Sequence, residues 1–161
     1  MLKYNIPYIY GVELFHIPKS ELHKLYGIYE YYPFVSKLKW VYVDYFDAYA
    51  LFWSNSSHMP FHDWLVDIVA HHLKYNCITS FPWYQQTTKL PDIVYKNRFI
   101  EIETGLKHTT DDLRKRLYRS HNFTYVVVPN LTVKRRYKHK LPGVFFGRLL
   151  TLKEFFNYPE L

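Results

Sequence analysis

Three carboxylates stand close together in the middle of the chain: Asp92, after Pro91, and the pair Glu101 and Glu103 around Ile102. The segment 90–95 is a short apolar run, and 98–104 alternates Phe99, Glu101 and Glu103 against Ile100 and Ile102. Lys96-Asn97 between them reads as a tight turn, so the two runs are expected to pair as a hairpin. Residues two apart on a strand point the same way, which puts Glu101 and Glu103 on one face and Ile100 and Ile102 on the other. Pairing then gathers Asp92 and the two glutamates near one end. Carboxylates so gathered repel unless water or a cation lies between them. A hard divalent ion with oxygen ligands, Mg²⁺ or Mn²⁺, is the natural counter-charge. Such an ion activates bound water and neutralises a scissile phosphate, which is the chemistry of a metal-dependent nuclease. The plainer interpretation is structural: Pro-Asp is a common turn pair, and Glu-x-Glu often marks the solvent face of an edge strand.

What must position these groups can be read around them. Phe61, Leu65, Ile68, Val69 and His72 recur at helical spacing after Pro60, with Asp63, Asp67, His71 and Lys74 as the polar stripe. A strand is expected over 77–83, and Gly105 ends the Glu-bearing strand. Thr109-Thr110-Asp111-Asp112 is a helix-start signal, hydroxyl caps followed by acids at the positive end of the dipole, for a helix to about Arg119. The unbroken apolar run 123–129 marks a buried central strand. A further strand over 143–149 and a terminal helix over 152–156 complete the reading. The order implies an α/β fold with a mixed central sheet flanked by helices. That core is assigned to 56–161. Residues 1–55 read as an N-terminal extension or small module, with a short helix over 18–27 and a strand or hairpin over 40–53.

Pro91-Asp92 followed by Glu101-Ile102-Glu103, set between these elements, resembles the PD-(D/E)xK superfamily, the restriction-endonuclease-like nucleases, over roughly 58–130. The resemblance implies a restriction-endonuclease-like core, with Asp92 and Glu101 as metal ligands and the Ile102 carbonyl as a third. It also implies phosphodiester hydrolysis in DNA. Glu103 stands where that family usually has the lysine that orients or activates the attacking water. Three outcomes follow from this departure: Glu103 serves as general base or ligand, a displaced Lys107 or Lys115 reaches in, or catalysis is lost and only nucleic-acid binding remains.

His62, at the start of the first helix, falls at the margin of its apolar arc and is a further candidate to ligate metal or touch phosphate; a satisfied, partly buried histidine is the alternative. The His58/His62 and His71-His72 pairs do not make a zinc site, because Pro60 breaks the first spacing and no second ligand pair exists. Basic residues form two groups, Arg114-Lys115-Arg116 with Arg119 on the expected second helix, and 134–140, rich in Arg135, Arg136 and Lys138, in an expected loop. Interleaved with Tyr137, the second group suits phosphate contact with some base stacking; a solvated charged face is the alternative for both.

Composition sets the outer bounds. Lys and Arg number 21 against 14 Asp and Glu, a balance that favours a polyanionic partner such as nucleic acid, with an anionic membrane surface as the competitor. No stretch reads as a secretory leader or membrane span, and the single Cys77 fits a reducing compartment, so an intracellular protein is expected. Seventeen Tyr and 12 Phe suit a core, a stacking surface or an interaction surface, which keeps a purely structural role open; a homodimer is what the resemblance to the nuclease superfamily allows. The aromatic bias and scarcity of Gln have the style of proteins from thermophilic archaea or their viruses.

Overall fold

Residues 91–106 fold about a two-residue turn. Lys96 and Asn97 both take left-handed backbone angles, φ 46° and 60°, the pairing that matches the twist of a tight hairpin. The computed structural model describes residues 11–22, 24, 37–54, 60–79, 91–106, 123–141 and 148–158. Within them the turn joins β5 (Ile93–Tyr95) to β6 (Arg98–Ile102), antiparallel, with Ile93 opposite Ile100 and Tyr95 opposite Arg98.

These strands lie inside a five-stranded mixed sheet of order β4-β5-β6-β7-β8, in which β4 is Ile78–Thr79, β7 Phe123–Val128 and β8 Leu149–Thr151. β5 runs antiparallel to its neighbours β4 and β6, whereas β6, β7 and β8 run parallel. A second, three-stranded antiparallel sheet has the order β1-β3-β2, from β1 (Glu13–Phe15), β2 (Lys37–Val43) and β3 (Ala48–Ser54). The run over 40–53 is thus a hairpin, turned by a 3-10 turn at Asp44–Phe46 and by Asp47 at φ 47°.

Helix α1 (Pro60–His72) begins at proline, whose fixed φ and missing N–H suit a first turn. Its apolar arc, with Phe61, Trp64, Leu65, Ile68 and Val69 all buried, shares one core with both sheets. Val41, Val43, Ala50 and Phe52 enter from the smaller sheet, and Ile93, Ile100, Ile102, Tyr125 and Val127 from the larger. The Phe52 and Phe61 rings stack at 5.0 Å. The opposite face of the large sheet, Val126 and Val128, packs with Val133 and Tyr137 of α2 (Leu131–Lys138). Because β7 alternates between two cores, its apolar run from Tyr125 to Val128 is explained.

The basic segment 134–140 is not the expected loop: helix α2 runs through it to Lys138. Asn130 caps that helix by accepting from Val133 N at 3.0 Å, and Val133 and Tyr137, one turn apart, form its buried stripe. The terminal helix α3 (Leu152–Phe156) lies where the sequence placed it and starts with a Thr151–Glu154 capping box. Lys134 Nζ reaches both Glu154 oxygens at 2.8 Å, joining α2 to α3. Of the strand expected over 143–149, residues 143–147 lie outside the described set, and β8 covers Leu149–Thr151. Of the early helix expected over 18–27, Lys19–Glu21 form a 3-10 turn, and residues 23 and 25–27 lie outside the described set. The expected helix over 109–119, and with it Arg114 and Lys115, lies outside the described residues, as does 80–83 of the strand after Cys77. No helix among the described residues is long and apolar enough to cross a membrane.

Gly105 leaves β6 at φ +78°, and a Cβ there would meet both Val133 methyls at 3.0 Å. Gly11 shares the positive φ, at +64°, with open space around it. Gly105→Ala is therefore expected to cost about 2–4 kcal/mol, strain plus overpacking, and Gly11→Ala only about 1–2 kcal/mol. Urea unfolding of the two variants measures the difference.

Candidate functional site

Asp92 sits just before β5, and continuing the hairpin register by one residue sets it across from Glu101. One of its oxygens, Oδ2, accepts the Ile102 main-chain N–H at 2.8 Å. The same oxygen lies 3.3 Å from His62 Nε2, which the first turn of α1 delivers to the end of the hairpin. The other imidazole nitrogen, Nδ1, lies 3.2 Å from Asp63 Oδ1. A charged histidine bridging two carboxylates is the consistent assignment, since both ring nitrogens then donate.

Electrostatics agree. Burial opposes a charge on the His62 ring, but Asp92, then the hydrogen bonds to Asp63 and Asp92, outweigh it and hold the imidazolium up to about 10. Asp92 is 14% and His62 31% exposed at the side chain, so the pair is screened from water without being sealed from a ligand.

Glu101 is 4% exposed. It stands on an interior strand between β5 and β7, level with Val126, so the solvent-face interpretation of Glu-x-Glu does not hold for it. Buried carboxylates require a hydrogen-bonded or charged partner, or a metal. Glu103 continues the line of β6, its N–H bonding Val127 O at 3.0 Å, and its Oε2 accepts from Tyr137 OH at 3.2 Å. The carboxylates therefore have different surroundings: Asp92 is tied to α1, Glu103 to α2.

The oxygen donors of Asp92, Glu101 and the Ile102 carbonyl suit a hard cation in kind. Among the described residues no group of three or more His, Cys, Asp and Glu side chains is placed to hold a metal ion. Mg²⁺ is commonly held by one or two carboxylates, with water and substrate phosphate completing its shell, and two carboxylates are what Asp92 and Glu101 offer.

The structure thus brings His62, Asp92 and Ile102 together, with Glu101 beside Ile102 on β6 and Glu103 just beyond that strand. Lys107, Arg114 and Lys115 lie outside the described residues. Arg135, Arg136 and Lys138 are exposed on α2, and Arg136 Nη1 donates to Gly105 O at 3.2 Å. Tyr137 cannot stack on a base as its neighbours suggested, because it is only 4% exposed and packs in the core. Its hydroxyl partnership with Glu103 and the role of Asp63 were missed from sequence. The one-turn spacing of Val133 and Tyr137 carried the signal for the first; nothing in the chain carried the second. Compared with protein-family models, curated proteins and solved structures, the chain matches none.

Because the folded imidazolium of His62 is raised above its unfolded value of 6.5, its stabilisation is complete below about pH 6.5 and is lost as pH rises toward 10. NMR titration of the metal-free protein should find that ring still protonated at pH 8. Asp92→Asn should bring its titration down, and His62→Gln should flatten the fall in urea midpoint between pH 6.5 and 10.

Proposed function

We propose that the chain is a metal-dependent nuclease hydrolysing phosphodiester bonds in DNA, built on a restriction-endonuclease-like core and acting inside the cell. The observation that carries this reading is the pair formed by a buried Glu101 and an Asp92 pinned to the main chain of Ile102 beside it. Two carboxylates set across the hairpin from each other, with the Ile102 carbonyl next in sequence after Glu101, offer oxygens to a cation and a phosphate.

Asp92, Glu101 and the Ile102 carbonyl would hold Mg²⁺ or Mn²⁺. When bound, the ion supplies charge neutralisation at the phosphate and a more acidic water. His62 keeps the Asp92 carboxylate aimed through its charged hydrogen bond and presents a positive ring to an incoming phosphate. Glu103, steadied by the Tyr137 hydroxyl, replaces the usual lysine as acceptor for a proton from attacking water; Lys107 is the alternative source of that assistance. Arg135, Arg136 and Lys138 on α2, with Arg114 and Lys115, provide the cationic surface for the nucleic-acid backbone.

A second reading has one specific support, the Glu103 carboxylate engaged by Tyr137 where the resembled family has lysine: a non-catalytic nucleic-acid-binding protein on the same fold.

With Mg²⁺ or Mn²⁺, cleavage is expected on at least one of linear, nicked, branched or single-stranded DNA. Asp92→Asn and Glu101→Gln should each lower it by about 100-fold or more, the scale of several kcal/mol of metal stabilisation, while circular dichroism shows an intact fold. A Mn²⁺-dependent rise in melting temperature should vanish in Glu101→Gln. Salt-sensitive DNA binding with no cleavage of any substrate would select the second reading.

A further inference from the structure

A cleft of about 350 Å³ opens where the exit of β6, the start of α2 and the hairpin of β2 and β3 meet. Strand geometry makes its aromatic wall. Trp40 and Tyr42 are two apart on β2, and Tyr49 on β3 is the cross-strand partner of Tyr42, so the three side chains share one face while Val41, Val43 and Ala50 fill the core behind them. The Tyr42 and Tyr49 rings lie 5.3 Å apart at 55°. Both residues are half-buried, which leaves ring surface to the cleft. The hydroxyl of Tyr42 is anchored on Asp47 Oδ1, and burial and this acid together push it up to about 12, with the hydrogen bond the larger cause. That ring is fixed and neutral.

Lys19 and Arg136 add positive charge from the opposite margins, and both are exposed. Arg136 spends one donor on Gly105 O, and a guanidinium has five. The described lining of this cleft contains no acidic side chain. A second cavity, about 410 Å³, shares Lys19, Tyr42 and Tyr49 with it and extends it toward His16 and Asp47.

Fixed aromatic faces beside cationic side chains select a ligand that is both planar and anionic. An acidic peptide leaves the rings unused, and a free phosphate does so too. A base paired in a duplex keeps its faces against its neighbours, so only an unpaired nucleotide offers a face to these rings. Thr104, Gly105 and Leu106 of the lining follow Glu103 directly in the chain, so the cleft begins where the candidate catalytic strand ends.

We propose that this cleft holds an unpaired nucleotide of a single-stranded nucleic acid, its base against Tyr49 and Tyr42 and its phosphates on Arg136 and Lys19. The inference rests on the nucleic-acid reading of the neighbouring site and names its substrate class as single-stranded.

The test is fluorescence anisotropy of the full chain with a labelled oligothymidylate in EDTA, so that binding is read without metal or cleavage. Loss of a base–aromatic contact weakens binding roughly 5- to 150-fold, and Tyr49→Ala should fall in that range while Tyr49→Phe retains the affinity of the parent. Lys19→Ala and Arg136→Ala, both surface changes, should each flatten the dependence of log affinity on log salt by roughly 0.7. A blunt duplex should compete poorly for the oligonucleotide. Unchanged affinity in Tyr49→Ala, duplex competition equal to that of unlabelled single strand, or equal competition by inorganic phosphate overturns the proposal. Cleavage in Mg²⁺ by the same cleft variants separates the two ideas: persisting cleavage with unaltered binding removes the cleft alone. Weakened binding without any cleavage by the parent protein removes the nuclease and leaves the cleft.

Discussion

One oxygen atom ties the candidate site together. Asp92 Oδ2 receives the Ile102 N–H and the His62 ring, so a loop residue, an interior strand and the first turn of a helix converge on it. Each partner constrains the others. The N–H bond fixes the carboxylate against the end of β6, where a free aspartate would swing through its rotamers. The imidazolium then fixes the start of α1 relative to that strand, and α1 carries the apolar arc that closes the main core. Charge-assisted hydrogen bonds are roughly twice as strong as neutral ones, which is why a single half-buried acid can orient two elements.

The same bond sets the electrostatic character of the region. His62 remains cationic because Asp92 and Asp63 face its two nitrogens, despite burial that favours the neutral ring. An imidazolium beside Asp92 offsets negative charge that would otherwise build up near Glu101. Were a cation bound as proposed, Asp92 would hold it beside a charged hydrogen bond already in place, and loss of the His62 contact would also loosen the link to α1.

Legibility followed the range of the interactions involved. The hairpin could be read because Lys96-Asn97 and the flanking alternation are local signals, and α1, β7 and α3 were readable from periodicity, apolar continuity and capping residues. The basic run was misread because charge hid a two-residue stripe: Val133 and Tyr137 are the buried residues of α2, and Asn130 is a quieter start signal than a run of hydroxyls and acids. The burial of Glu101 was not legible either. A glutamate alternating with isoleucines looks alike on an edge strand and an interior one, and only the parallel pairing with β7 decides between them. That pairing is non-local, and a parallel pair requires a crossover connection whose residues carry no mark of the register. The Tyr42–Tyr49 wall has the same origin, since it depends on the register of a hairpin whose turn is a 3-10 turn rather than a recognisable Asn-Gly pair.

Gly105 shows how the candidate catalytic strand and the cleft become one surface. A side chain at that position would strike Val133, so only glycine lets the end of β6 lie directly on α2. With the strand seated so closely, Tyr137 meets Glu103 on one side of the contact and Arg136 meets the Gly105 carbonyl on the other. Consecutive residues of one helix thereby reach the acid end of β6 and the rim of the cleft. A helix held even slightly farther away would break both contacts, because neither has slack: the hydroxyl and guanidinium bonds are each 3.2 Å long. The absence of a side chain at one position is thus what couples the geometry of the acidic strand to that of the aromatic wall.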